Sequence, residues 1–357
     1  MRTTASGSGF RAFTIIELLV VVSIIALLIG ILLPAIGKAR DNARLTQSQA
    51  NLRNLATAHA EYGAEWGDKQ LSFIPDTISV YGNNEGTAFT QYEMQVGARN
   101  EIILGWENGG LWILNPEYYS SFLPIAFDGS VEPYWGAFRL INAGNFNTYL
   151  NGRFYDPVFY APKDTVVLNM VEPALDSPSQ FTTVELDGLI GMSSYILSPA
   201  GMFNPATLAE NPTTNKFFTD PWSVPAGYRT PSYSAALYPD QKTHMLEHHW
   251  LQNTEAECNP AFGNVGSYDG CEPYYFNHAW SSVPVTLFYD GHIEGLGVRE
   301  AEQADVRSGR QVGHGLWSRD TPFGSDGYQI IDGFDYAATS YHIFTIDGIR
   351  GRDKGAD

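Results

Sequence analysis

Cysteine is scarce in this sequence. The 357 residues include only two, Cys258 and Cys271. Two thiols in so long a chain exclude a disulfide framework of the kind that stabilises small secreted domains. If this region lies outside the cytoplasm, the two cysteines are predicted to form one disulfide bond that closes a short loop. The alternative is a pair of free thiols.

Positive charge is also scarce. Lysine and arginine together number 21, against 39 aspartates and glutamates, so the formal net charge is −18. Binding to a nucleic-acid backbone needs clustered cations, and the composition therefore argues against a nucleic-acid partner. An acidic surface is typical of a secreted or surface-displayed domain or of a cation-binding one, although solubility alone accounts for it equally well.

Catalytic motifs are missing as well, since the sequence contains no P-loop or nucleophile elbow. The sequence also has no internal repeat. His244, Glu247 and His248 fit the H-x-x-E-H pattern of some zinc proteases, which requires a helix. The segment is instead typical of a surface β-strand, with His244 and His248 on one face and Glu247 on the other. We therefore predict a protein that is not an enzyme and has no cofactor. A metalloprotease or an incidental metal site are the alternatives.

A long apolar run near the N-terminus is the most prominent feature that is present. Residues 1–12 form a short segment that is basic and rich in hydroxyl side chains. About twenty mostly apolar residues follow, which is the length needed to cross a bilayer. A transmembrane segment is predicted over about 13–35. Glu17 lies inside it, where a charge costs roughly 2.5–3.5 kcal/mol on insertion scales and needs a partner. A secretory signal and a plain signal anchor are alternatives, but the run is long for a signal and lacks an A-x-A site.

The segment A-F-T-I-I-E-L-L-V-V-V-S-I-I-A-L-L, which begins at Ala12, resembles the N-terminus of type IV prepilins and type II secretion pseudopilins. In that family a prepilin peptidase cuts before the phenylalanine and methylates the new N-terminus. The resemblance implies cleavage between Ala12 and Phe13, with residues 1–12 as the leader peptide. The family usually has glycine where this chain has Ala12. The resemblance also implies that Glu17 neutralises the amino terminus of a neighbouring subunit during assembly.

The pilin-like helix is predicted to cover residues 13–66, with Gly30 and Pro34 as its weak points. Its outer half is expected to pack on a β-sheet through a stripe of residues at helical spacing: Leu45, Leu52, Leu55, His59, Tyr62 and Trp66. Asn51 and Glu61 are expected on the opposite, exposed face.

Residues 67–357 are rich in Tyr, Phe, Asn, Gly and Pro, and turn residues separate short strand-like segments. They are predicted to form a large, antiparallel, β-rich head domain outside the cytoplasm, which makes the fold class α+β. Asp347-Gly348 is a hairpin candidate, and residues 350–357 are predicted to be disordered.

A second hairpin signal is Asp290-Gly291, between V-T-L-F-Y and H-I-E-G-L. It resembles the H-X9-DG motif of planctomycete-type prepilin-like proteins, although eleven residues rather than nine separate His278 from Asp290. His278, Asp290 and His292 are candidate metal ligands, because imidazole and carboxylate groups bind transition metals. The alternative is a turn aspartate with structural histidines.

These features predict a structural subunit, minor or large-headed, of a type IV pilus or a type II secretion pseudopilus. The expected partners are prepilin peptidase, other pilin or pseudopilin subunits, and the membrane. The expected location is the inner membrane, as a single-pass protein, and after assembly a periplasmic pseudopilus or a cell-surface pilus. More Lys and Arg follow the span than precede it, so the positive-inside rule does not favour this orientation. The alternative is a membrane-tethered adhesin or glycan-binding module that uses aromatic residues such as Trp106, Trp112 and Trp135.

Overall fold

The computed structural model describes residues 14–97, 101–107, 110–114, 116–127, 136–176, 191–214, 216–247, 283–297 and 345–355, with positions 300, 301, 303, 304, 316, 318, 321 and 322. The chain divides into two compact units, residues 1–46 and residues 47–357. Several residues named above lie outside the described residues: Ala12, Phe13, Trp135, His248, Cys258, Cys271 and His278.

A single helix of 51 residues, α1 (Ile15–Glu65), begins in the first unit. It confirms the predicted long N-terminal helix and continues through both Gly30 and Pro34. The large apolar side chains from Ile15 to Ile36 are 45–85% exposed. In the described part of the chain, α1 is the one helix long and apolar enough to cross a membrane.

In the second unit, α1 packs against the head through a buried face. Leu52, Leu55, His59 and Tyr62 of the predicted stripe are buried. Trp66, which follows the helix, is 55% exposed. Asn51 was expected on the exposed face, but it is buried and hydrogen-bonded. That prediction was wrong because a polar side chain can replace an apolar one on a buried face when it has partners.

The central sheet of the second unit has four antiparallel strands in the order β3-β4-β5-β6. They are β3 (Tyr195–Leu197), β4 (Thr243–Glu247), β5 (Val285–Phe288) and β6 (Ile293–Gly295). The first three strands are buried along their whole length, whereas β6 forms a more exposed edge. A separate antiparallel pair joins β1 (Ile102–Glu107) to β2 (Gly110–Leu114).

Shorter helices lie between α1 and β4 along the chain. They are α2 (Glu85–Val96), α3 (Gly144–Asn147), α4 (Thr165–Leu175) and α5 (Pro199–Met202). The side chain of Asn84 caps the start of α2, and Gly97 ends it in a left-handed conformation. The described residues therefore form a mixed structure of helices and an antiparallel sheet, which confirms the predicted α+β class, whereas the large β-rich head remains a prediction.

The C-terminal segment differs from its prediction. Asp347 and Gly348 both have positive φ, but Gly348–Arg350 forms a 3₁₀-helix rather than the second strand of a hairpin. Residues 351–355 were expected to be disordered, yet Asp353 is fully buried. Local composition predicted a polar tail. It does not reveal the ion pair between Asp353 and the distant Lys242, which holds this segment in place.

Candidate functional site

The start of α1 is a capping box built from Thr14 and Glu17. The Thr14 amide and hydroxyl both donate to Glu17 Oε2 at 2.8 Å, and the Glu17 amide donates to the Thr14 hydroxyl at 3.3 Å. This reciprocal arrangement satisfies donors that a helix N-terminus leaves free. The sequence signal is T-I-I-E, a threonine followed three residues later by glutamate, and sequence reasoning missed it. Glu17 therefore has polar partners within its own chain.

The seam between α1 and the central sheet contains a buried polar network. Ser48 donates to a carboxylate oxygen of Glu247 on β4 and also hydrogen-bonds the Tyr195 hydroxyl at 2.9 Å. The Asn51 amide donates to that hydroxyl at 3.3 Å and to the Tyr160 carbonyl oxygen at 3.2 Å. The second oxygen of Glu247 accepts from the Val285 amide at 3.0 Å. The network thus joins α1 to three neighbouring strands.

Two carboxyl groups near this seam are fully buried. Burial raises the pKa of Glu247 to about 8, although the hydrogen bonds from Ser48 and the Val285 amide oppose the shift. Burial likewise raises the pKa of Asp164 to about 7, against hydrogen bonds from Ser194 and the Val167 amide. Glu247 therefore retains its proton in much of the folded protein at neutral pH.

The H-x-x-E part of the zincin-like pattern lies on β4, so the predicted strand is confirmed. Its predicted surface position was wrong, because His244 and Glu247 are both buried. Both also contact α1, His244 through His59 and Glu247 through Ser48. The register of β4 against β5 shifts between Thr243 and Met245, and such a bulge interrupts the strict alternation of faces on which the prediction relied.

His59 and His244 form a buried pair of imidazole rings. Their centroids are 4.8 Å apart in an edge-to-face arrangement, and Phe146, Tyr233 and Tyr289 surround them. All four ring nitrogens are buried and have no hydrogen-bond partner in the part of the chain that the structure describes. Burial lowers the pKa of His244 to about 3 and holds that of His59 well below its ordinary value, with a further contribution from His244. Both rings are therefore neutral.

The predicted hairpin at Asp290-Gly291 is present between β5 and β6. Its loop has three residues rather than two, because Phe288 accepts from the Gly291 amide and also donates to the His292 carbonyl oxygen, both at 3.0 Å. Gly291 adopts a φ of 88°, which favours glycine. Asp290 Oδ1 lies 2.5 Å from His292 Nδ1 and accepts from the His292 amide. The aspartate therefore orders the turn.

This hairpin brings together two of the three candidate metal ligands, whereas His278 lies outside the described residues. No group of three His, Cys, Asp or Glu side chains able to hold a metal occurs among the residues described. The possible disulfide partners, Cys258 and Cys271, fall outside that part of the chain.

Sequence reasoning missed a buried ion pair between Lys242 and Asp353. Lys242 Nζ lies 3.0 and 3.1 Å from the two carboxylate oxygens, and both side chains are 0% exposed. Lys242 also donates to the Thr345 hydroxyl at 2.9 Å, and the Thr243 amide donates to Asp353 at 2.8 Å. We call this arrangement the C-terminal clasp. No sequence motif marks it, since 111 positions separate its charged partners.

A cleft of about 270 Å³ lies beside the start of α2. Aromatic side chains and oxygen-bearing side chains line it: Phe127, Trp222, Tyr228, Asn83, Asn84, Glu85 and Asp220. Aromatic faces beside amide and carboxylate groups are chemically suited to the apolar faces and hydroxyls of sugars. The side-chain positions of Trp106 and Trp112, on which the glycan-binding alternative relies, lie outside the description.

Comparisons with family models, curated proteins and solved structures find no match for this chain.

Proposed function

We propose that this chain is a prepilin-like subunit that assembles through its N-terminal helix. The observation that carries the proposal is the first part of α1, whose large apolar side chains are exposed from Ile15 to Ile36 and whose first turn contains Glu17. So much exposed apolar surface needs a bilayer or neighbouring apolar helices. Residues 12–28 resemble prepilin N-termini. A prepilin-like helix would meet both environments in turn, first the membrane and then a filament.

In this proposal prepilin peptidase cuts between Ala12 and Phe13 and methylates the new terminus. The N-terminus faces the cytoplasm, and the β-rich head lies on the other side of the membrane. Apolar helices bundle as subunits leave the bilayer, and Glu17 pairs with the Phe13 amine of a neighbouring subunit. The hydrogen bonds from Thr14 support this role, because they hold the carboxylate at the helix start in a defined position.

The proposed assembly is a type IV pilus or a type II secretion pseudopilus. A head of about 290 residues is large for the repeating unit of a helical lattice. A minor or tip-like subunit therefore fits the size of the head better than a major one.

Mass spectrometry of the N-terminus of the native protein tests the processing step. We expect a mature chain that begins with methylated Phe13. An intact Met1, or a cut after Ala39 as by a signal peptidase, would contradict cleavage at Ala12. Ala12→Gly restores the usual family residue and should be cleaved at least as fast as the native chain in a membrane assay.

Glu17→Gln separates the assembly charge from helix capping. The glutamine oxygen can still accept from Thr14, so the capping box is retained while the charge is lost. We expect normal cleavage but reduced recovery of the subunit in sheared filaments. Thr14→Val is the matched variant, since it removes the side-chain hydroxyl and keeps the charge. If the Gln variant assembles as the native chain does, the charge-pairing role is wrong.

A second candidate function is a membrane-tethered glycan-binding module, and the cleft lined by Trp222 and Tyr228 favours it. A glycan array with the native chain and with Trp222→Ala tests this reading, with Trp106→Ala, Trp112→Ala and Trp135→Ala in parallel. No glycan binding by the native chain would remove the reason for it.

A further inference from the structure

A second cleft, of about 360 Å³, lies just beyond the end of α1 and collects positive charge. Lys69, Arg229 and Arg350 line it together with one carboxylate, Asp76. These three cations come from segments far apart in the sequence. Their convergence is unusual in a chain that has 21 basic residues and a net charge of −18. We refer to this site as the basic cleft.

One of the three cations of the basic cleft is paired with a carboxylate, whereas the other two have no such partner among the described residues. Lys69 forms an ion pair with Asp76 at 3.1 Å. Arg229 and Arg350 are exposed and have no ion-pair partner in the described part of the chain. Like charges brought together on one surface repel, and an anion bound between them would relieve this repulsion.

We propose that the basic cleft binds the carboxylate or phosphate group of a small organic anion about the size of a monosaccharide. An arginine guanidinium has a planar fork of donors that matches both groups in a bidentate manner. The volume lies in the lower part of the range for small-molecule sites. The inference concerns what the head binds and does not depend on filament assembly.

The backbone around the cleft contains residues in an unfavourable left-handed conformation close to each of its three cations. The non-glycine residues with positive φ in the described chain are Asp68, Ala226 and Asp347. Asp68 adjoins Lys69, and the other two each lie three residues before an arginine of the cleft. The Arg229 amide donates to the Ala226 carbonyl oxygen, and the Arg350 amide to that of Asp347, both at 3.0 Å. Left-handed residues cost of order 1 kcal/mol or more and cluster at functional sites.

Thr230 adds a buried hydroxyl group to the lining of the cleft. This residue lines the cleft and is 9% exposed, and its hydroxyl has no hydrogen-bond partner among the described residues. A buried hydroxyl is rarely left without a partner, because the lost hydrogen bonds to water are not replaced. A small outward rotation would let it donate to an oxygen of a bound anion.

Isothermal titration calorimetry on the full chain in uncharged detergent tests the proposal. The probes are inorganic phosphate, glucuronate and, as the neutral reference, glucose. We expect saturable binding of at least one of the two anions, weakened by added salt, and no binding of glucose. The relative affinities for phosphate and glucuronate tell which anionic group the cleft prefers.

The double variant Arg229→Gln/Arg350→Gln should lower the affinity for that anion at least tenfold. Arg53→Gln, at an exposed position of α1, is the matched control and should bind as the native chain does. The two single variants provide a second measurement if the double variant unfolds. The proposal is wrong if neither anion binds saturably to the native chain, or if removing both arginines leaves the affinity unchanged.

Discussion

Glu247 has a carboxyl group that water does not reach, so its protonation is linked to folding. In the unfolded chain it ionises near its ordinary pKa of 4.5, whereas burial raises the folded pKa to about 8. Between these values the folded state binds more protons than the unfolded state. The contribution of Glu247 to stability is therefore greatest below pH 4.5 and is lost as the pH rises towards 8.

We predict that Glu247→Gln reduces this alkaline loss. A glutamine has the same shape and does not ionise, so the free energy of unfolding should fall less steeply between pH 5 and 8 than in the native chain. The difference should be on the order of 1 kcal/mol per pH unit. Urea unfolding of the full chain in uncharged detergent, followed by circular dichroism, measures it. Glu61→Gln on the exposed face of α1 is the control, and equal slopes for the Glu247 variant and the native chain would contradict the linkage.

The C-terminal clasp leads to a second prediction. Lys242→Met leaves the Asp353 carboxylate buried without its cation, which typically costs about 3–5 kcal/mol. Lys354→Met, which removes a partly exposed pair with Glu294, should cost less than about 1 kcal/mol. Urea unfolding compares the two variants. Equal, small losses would mean that Asp353 is not held in the core by its charge.

The double variant Lys242→Met/Asp353→Leu tests whether the loss in the single variant comes from an unpaired buried charge. Replacing both charges by apolar groups avoids an unpaired buried charge, so much of the stability lost by the single variant should return. A loss equal to or larger than that of Lys242→Met would instead show that shape, rather than charge, dominates the clasp.

At the scale of elements, α2 offers a direct test of a capping residue. Asn84 accepts from the Thr87 amide at 2.9 Å, and this bond satisfies one of the free donors of the helix. Asn84→Ala should lower the free energy of unfolding by about 1 kcal/mol. Asn83→Ala, at the neighbouring exposed position, is the control. Equal effects of the two substitutions would show that the cap does not stabilise α2.

The elements that the sequence predicted well are those specified by local patterns. The long apolar run and the helical stripe predicted α1, and the Asp290-Gly291 dipeptide predicted the β5–β6 hairpin. The details depended on partners in other elements. The bulge in β4 changed which side chains reach α1, and Asn51 became a buried residue because Tyr160 and Tyr195 offered it acceptors.

The candidate sites likewise divide into those marked by a local sequence pattern and those formed by distant segments. The capping box at Thr14 and Glu17 is a local signal that the sequence contains. The clasp and the basic cleft are not local, since each joins segments that are far apart in the chain. Residue spacing and composition give no information about such long-range contacts, because these contacts depend on the folded topology.

Burial of the two paired histidines is expected to make the folded protein as a whole less stable in acid. Unfolded histidines gain a proton near pH 6.5, whereas burial keeps His59 and His244 neutral in the folded state until the pH is much lower. Their contribution is therefore present above pH 6.5 and is lost as the pH falls below it, by roughly 1.4 kcal/mol per unit and histidine.

His244→Phe should make the acid side of the stability profile less steep. The buried carboxyl groups act in the opposite direction, but they are common to both chains and cancel when variant and native protein are compared at each pH. Thermal unfolding at pH 4, 5 and 7 provides the measurement. His292→Phe, at a partly exposed position, is the control. An acid loss in the His244 variant as steep as in the native chain would contradict this role.

The C-terminal clasp also sets an order of events during biogenesis. Lys242 leaves the ribosome well before its partner, because Asp353 follows it by 111 positions. Until Asp353 arrives, burial of the Lys242 ammonium group without a counter-charge is costly, so closure of the central sheet around β4 is disfavoured. A nascent head that crosses a membrane from its N-terminal end would keep β4 open until Asp353 had followed Lys242 across. The ion pair would then form, and the central sheet would close in one step.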